Sequence, residues 1–493
     1  MNIKKSAFNI SPRHQAYAAL ALWGAIVLLL LRHGPYGIDE SAARALLLSW
    51  SIADQVANSA LTFGMPDLRI LPFLPVGFLW SGSVFAAKVF TVLLLALSSW
   101  MLFGWKSRSG SPESALLATG LLMISPLALA QIDAISTGIY LLACFALGHW
   151  LDVQFRGNPR PFNGWFFAQI FLCAFSVSLH PAGLAYPLAL AWSVRGGPLA
   201  PKYQRYFLGG VAFAVLFFLI PKYLFSMRIL WNDLVWFQNP VKSLGTVFSG
   251  SSLDEAEPVL QWLPGGLVLG LAVGIVLLKF RTLCQDLTGR TLLIGLFLGS
   301  AVGDQAWAMI VLAVVLYFGL PMLLRPADAS AQGGFMKQRG WVLALVFIGS
   351  TLFMHADKAY YQAGRSGGLT AQDELIKTVA TGAESERRAA EADDGVKRPR
   401  FIVASQWPGR TMIACKCDTF PLPPVKHDDP QAQLASLHSV TYLALDPKET
   451  ANIDLARNLS LLGGVVETIS LQAGGVLLHV KDDAAAKPAE VRP

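Results

Sequence analysis

Residues 15–40 read QAYAALALWGAIVLLLLRHGPYGIDE, an apolar run followed at once by an acidic pair, Asp39 and Glu40. The run over residues 15–31 has about the length an α-helix needs to cross a hydrocarbon core of roughly 30 Å. No small-residue cleavage site follows it, so it reads as a retained span rather than a signal peptide. The acidic pair then lies just past the first span, at a membrane surface. A membrane enzyme would need a base there.

The rest of the chain repeats the pattern. Of its 493 residues 54% are hydrophobic and only 14% charged, against roughly 25% charged in a soluble domain, and the mean hydropathy is +0.48. Apolar runs near 15–31, 84–104, 113–130, 134–152, 163–179, 181–194, 206–224, 262–279, 291–303, 305–323 and 341–355 predict about eleven transmembrane helices, an all-α polytopic membrane domain.

Lysine and arginine give the orientation. With the N-terminus inside, the inner segments carry Lys4, Lys5, Arg13, Lys106, Arg108, Arg156, Arg160, Arg195, Lys202, Arg205, Lys279, Arg281, Arg290, Arg325, Lys337 and Arg339. The short outer turns around Asp133, His180 and Asp304 carry none. This asymmetry predicts a cytoplasmic N-terminus and an outer C-terminal domain. The net charge of +7 follows largely from that topology, with some affinity for anionic lipid, and requires no nucleic acid.

Domains are predicted as follows. Residues 1–355 form the membrane domain, with a first outer loop at 32–83 and a second at 225–261. The first loop holds helical apolar spacing over 41–58 and a proline-marked apolar run over 71–80, read as amphipathic helices on the membrane surface. Residues 356–398 form a linker and a charged helix, 399–482 a small α/β outer domain, and 483–493 a disordered tail. Within the α/β domain the expected order is a strand at 400–406, a cysteine-containing strand at 411–415, a proline-rich turn at 421–424, a strand at 440–445, a helix at 447–462, and two strands around the turn at 473–475. Cys415 and Cys417 would meet an oxidising compartment. The pair suits a strained local disulfide or a redox site, but two thiols are too few for a closed zinc site, and the favoured reading is an incidental pair.

Chemistry follows from the outer carboxylates. A partly desolvated carboxylate is a better proton acceptor for a hydroxyl, which makes Asp39 the candidate base and Glu40 an assisting group. The same pair also reads as the N-cap of a helix starting at residue 41. Asp133, from a second outer turn, can bracket the substrate or share a divalent cation (Mg, Mn or Ca) with Asp39, oxygen being the ligand those ions prefer. It also reads as a helix cap. His180, Lys222, Arg69 and Arg228 are the candidate phosphate-binding groups. A turn histidine is often structural, and outer cations also snorkel to lipid phosphates.

Four short motifs occur in order on the predicted outer side: Gly37-Ile38-Asp39-Glu40, Leu71-Pro72-Phe73-Leu74-Pro75, Ser125-Pro126 followed by Asp133, and Leu179-His180-Pro181. Over about residues 10–355 the chain resembles the GT-C membrane glycosyltransferases, specifically the bacterial branch similar to protein O-mannosyltransferases and aminoarabinose transferases. The resemblance implies an inverting sugar transfer from a polyprenyl-phosphate donor on the outer face of the bacterial inner membrane. Its base role falls to Asp39 and its second acidic position to Asp133. The implied partners are the donor, membrane lipids, and an acceptor protein, glycolipid or polysaccharide. The chain departs from such relatives in lacking a histidine beside the prolines before span two and a lysine where His180 stands. A lipid-linked oligosaccharide ligase or polymerase, a transporter or flippase, and a silent scaffold are the other readings. A transporter would place ionisable groups mid-span.

Overall fold

The computed structural model describes residues 23–25, 27, 37–53, 70–109, 112–157, 160, 162–195, 201–223, 258–300, 302–323, 371–392, 401–423, 425, 429–435, 437, 440–445, 450–461, 466–471 and 476–480. The chain divides into two compact units, Met1–Arg32 with Phe85–Thr351, and His33–Val84 with Leu352–Pro493. The predicted span at 341–355, most of that at 15–31 and the loop at 225–257 lie outside the described residues.

The first unit is helical. Among the described residues three helices are long and apolar enough to cross a membrane, Val84–Arg108, Thr137–Gly157 and Gly266–Leu283, or four if Pro112–Ile124 and Leu127–Ala134 together make one span. Shorter apolar helices, Gly164–Leu179, Leu287–Gly299 and Ala306–Met322, stand beside them. Large apolar side chains such as Phe213, Leu277 and Phe297 point outward, as a lipid-facing surface requires. Two buried hydroxyl pairs join neighbouring helices: Thr91 Oγ1 lies 3.0 Å from Tyr140 Oη, and Thr119 Oγ1 lies 2.9 Å from Tyr317 Oη. Such bonds join helices where apolar burial alone gives little drive.

The run predicted as one span over 113–130 breaks in two. Pro126 has no N–H to donate and pushes the residue before it out of the helical region. Ser125 is accordingly extended, and its hydroxyl accepts from the N–H of Ala128 to cap the short helix Pro126–Ala134. That helix ends at Ile135 in the left-handed region (φ 53°), which sets Asp133 in its last turn. The run at 181–194 likewise opens with a 3₁₀ turn, Pro181–Leu184, before the helix Ala185–Val194. Gly183 lets that turn approach the backbone of Ser176, which a Cβ would strike.

The second unit gathers helices Glu40–Ala53, Ile70–Leu79 and Ala371–Ala392 with a five-stranded sheet. The strands are β1 (Ile402–Ser405), β2 (Asp418–Pro421), β3 (Tyr442–Leu445), β4 (Val466–Ser470) and β5 (Val476–Val480), in the order β2-β1-β3-β5-β4. β1 is parallel to β2 and β3, while β5 is antiparallel to β3 and β4. Alternating side chains fill two cores. Leu443, Leu445, Leu455, Leu459 and Leu478 pack together, and Ala444 and Leu477 pack with Leu375, Val379, Val403 and Trp407. Helix Glu40–Ala53 buries Ala42, Ala43, Leu46, Leu47 and Trp50, a stripe of helical spacing.

Two local expectations in this unit are corrected. The strand expected at 411–415 is part of a helix, Pro408–Cys415: Pro408 sits at its first position, where its fixed φ suits a helix, and Thr411 and Cys415 are buried one turn apart. The strand falls one step later, at β2. Its Pro421 is tolerated because β2 is an edge strand. Cys415 and Cys417 form a disulfide rather than an incidental pair.

Candidate functional site

Lys88 lies in the second turn of helix Val84–Ser109 and has no exposed side-chain surface. A buried ammonium is costly unless paired. Its Nζ lies 2.5 Å from Oδ1 of Asp133, whose side chain keeps 21% exposure. The Thr91–Tyr140 contact one turn further on ties this part of the helix to Thr137–Gly157. The result is a carboxylate, partly open to its surroundings, with a buried positive charge behind it.

His180 pairs with Asp304. The imidazole Nδ1 accepts the N–H of Ala182 at 3.0 Å, so the proton on Nε2 points to Asp304 Oδ2 at 2.9 Å. Asp304 Oδ1 in turn accepts from the N–H of Trp307 and caps the helix Gln305–Val314. Burial pushes the Asp304 carboxyl up, but the hydrogen bond from His180 and the backbone N–H groups of Trp307 and Ala306 outweigh it and hold it below the usual carboxylate range. Both imidazole nitrogens are therefore engaged in fixing a turn.

Lys88 and Asp304 stand near the starts of their helices, and Asp133 and His180 near the ends of theirs. The last turns of Val84–Ser109, Thr137–Gly157 and Pro258–Leu283 instead carry Lys106 and Arg108, Arg156, and Arg281.

In the second unit, Asp39 is exposed beside buried Ile38, and its carbonyl accepts the N–H of Ala43 at the start of helix Glu40–Ala53. Glu40 faces elsewhere. Its Oε1 accepts the N–H of Gly409 at 2.9 Å and its Oε2 that of Arg410 at 3.0 Å. The carboxylate thus meets the open N–H groups at the start of helix Pro408–Cys415. Arg44 adds an ion pair to Glu40 at 2.7 Å.

Arg69 and Arg228 lie outside the described residues, as does the side chain of Lys222, whose backbone belongs to helix Pro201–Tyr223. Among the described residues no three or more His, Cys, Asp or Glu side chains gather as a metal site. One Asp133 carboxylate oxygen faces the Lys88 ammonium. Lys88 is the residue that sequence reading missed. A single lysine inside an apolar run was the available signal, since an ionisable group in a span marks a functional position by default.

In fold the chain is similar to several solved membrane-enzyme structures. The archaeal oligosaccharyltransferase AglB from Archaeoglobus fulgidus, solved with an inhibitory peptide and a dolichol-phosphate, matches at TM-score 0.52 and 12% identity over 97% of this chain and 75% of that one. The oligosaccharyltransferase from Archaeoglobus fulgidus tethered to an acceptor peptide matches at 0.51 and 13%, over 95% and 74%. ArnT from Cupriavidus metallidurans bound to undecaprenyl phosphate matches at 0.49 and 12%, over 96% and 99%. No protein-family profile matches the chain, and no curated protein does.

Proposed function

We propose that this chain is a membrane glycosyltransferase that moves a sugar from a polyprenyl-phosphate carrier to an acceptor hydroxyl on the outer face of the bacterial inner membrane. The observation that carries the reading is the buried Lys88 ammonium against Asp133. A desolvated cation of this kind suits a phosphate oxyanion, and a polytopic helical unit suits a donor that lives in lipid. The dolichol-phosphate held by the archaeal oligosaccharyltransferase of like fold supports a lipid phosphate as the carrier. The ionisable groups stand near helix ends rather than mid-helix, which favours an enzyme over a transporter.

Asp39 takes the proton of the acceptor hydroxyl, and that oxygen attacks the anomeric carbon with inversion. The bond from that carbon to the phosphate oxygen breaks, and polyprenyl phosphate leaves with the electron pair. Lys88 meets its charge, and Asp133 pairs with Lys88. His180 with Asp304 fixes the turn at Pro181–Leu184, and Lys222, Arg69 and Arg228 remain proposed phosphate contacts.

The test is release of free polyprenyl phosphate by the purified protein from a panel of polyprenyl-phosphate sugars with acceptors supplied. Asp39→Asn is expected to lose about 10²–10⁴ in rate, the usual worth of a general base. Lys88→Met is expected to lose about 10²–10³, the usual cost of one oxyanion donor. Release should survive chelation by EDTA. Loss on chelation with recovery on adding Mg, Mn or Ca would assign the phosphate charge to a cation, and no release from any donor would overturn the transferase reading.

A further inference from the structure

The segment carrying Asp39 is fastened on both sides by the C-terminal α/β fold. On one side, Gly37 turns the chain in the left-handed region (φ 82°), which glycine adopts without strain, and its N–H donates to Asp373 Oδ1 at 3.2 Å. On the other, Glu40 accepts the two N–H groups of Gly409 and Arg410. Arg410 joins the two fastenings. Its backbone serves Glu40, while its guanidinium donates to Asp373 Oδ1 at 2.6 Å and to Gln372 Oε1 at 3.0 Å. Asp373 and Arg410 are almost wholly buried, with side chains 1% and 7% exposed, so breaking that pair is costly. Gly409 fits because a Cβ there would come within 3.1 Å of Glu40 Oε1 and 3.2 Å of the Arg44 nitrogen. Ile38 is buried between the fastenings, and Asp39 alone of the four residues 37–40 is exposed.

We infer that Glu40, Arg410 and Asp373 are positioning residues: they hold the backbone of residues 37–40 so that Asp39 is presented in one orientation. The inference rests on the proposed role of Asp39. It gives the α/β fold a part in the reaction without any contact to substrate, and it removes Glu40 from the chemistry itself.

The experiment compares full-length Glu40→Ala and Arg410→Ala with wild type and Asp39→Asn, measuring kcat and donor KM for polyprenyl phosphate release and amide hydrogen exchange across residues 37–53 and strands β1 and β3. Loss of positioning by about 1 Å costs on the order of 10²-fold. Glu40→Ala should therefore lower kcat by about 10–100-fold, keep donor KM within about twofold, and speed exchange over residues 37–43 while β1 and β3 stay protected. Glu40 lies at the edge of the fold, so this variant tests the fastening even if Arg410→Ala unfolds the sheet. Unchanged kcat in Glu40→Ala, or a loss that comes with deprotected strands, overturns the inference. Wild-type activity in Asp39→Asn overturns instead the role of Asp39, whatever the other variants do.

Discussion

At the residue scale, the His180–Asp304 pair makes a prediction about acid. The folded carboxyl of Asp304 is held below its usual value, so its contribution to stability is complete above the ordinary carboxylate pKa of about 3.9 and fades as pH falls through the lowered value. Asp304→Asn should therefore lose stability less steeply between about pH 4 and pH 2 than wild type, read as the unfolding midpoint in detergent at a series of pH values. An equal slope in both proteins would mean that the pair is not coupled to folding. Asp133 and His180 stand at helix ends, as their places beside apolar runs in the sequence imply. Their partners were not legible in the sequence. Lys88 stands 45 residues before Asp133 in the chain, and Asp304 stands 124 residues after His180, and neither spacing carries a local pattern.

At the element scale, helix Val84–Ser109 is fixed near Lys88 by the Thr91–Tyr140 hydrogen bond. Removing it with Thr91→Val should cost about 0.6 kcal/mol and at most about 1.7 kcal/mol, the range found for such bonds between membrane helices, measured by unfolding in mixed micelles. The larger effect is expected on release of polyprenyl phosphate, because the helix would then hold Lys88 less firmly. Helix and strand positions were mostly readable from period and length. Strands β1, β3, β4 and β5 fall where alternation and turn residues put them. The failures have physical causes: Pro126 splits an apolar run whose hydropathy is continuous, and the stretch at 411–415 is too short for its period to be told apart without the start signal at Pro408.

At the scale of the whole molecule, the sheet-bearing unit includes helix Glu40–Ala53, drawn from far earlier in the chain. Nothing local in residues 40–53 announces this, because an amphipathic stripe suits a membrane surface as well as a protein one. Deleting residues 399–493 removes both N–H donors of Glu40 and the guanidinium that holds Asp373. Such a chain should still insert and yet release no polyprenyl phosphate, and full activity in it would mean that the α/β fold is dispensable. The Glu40–Gly409 contact joins groups 369 residues apart, which at roughly 5–20 residues per second is on the order of 20–70 s of synthesis. Asp39 thus leaves the ribosome early and is locked into place late. On the proposed role of Asp39, a half-made chain carries its base on an unfastened segment, so activity is expected to begin only when translation is complete, and prematurely terminated copies are expected to be inert.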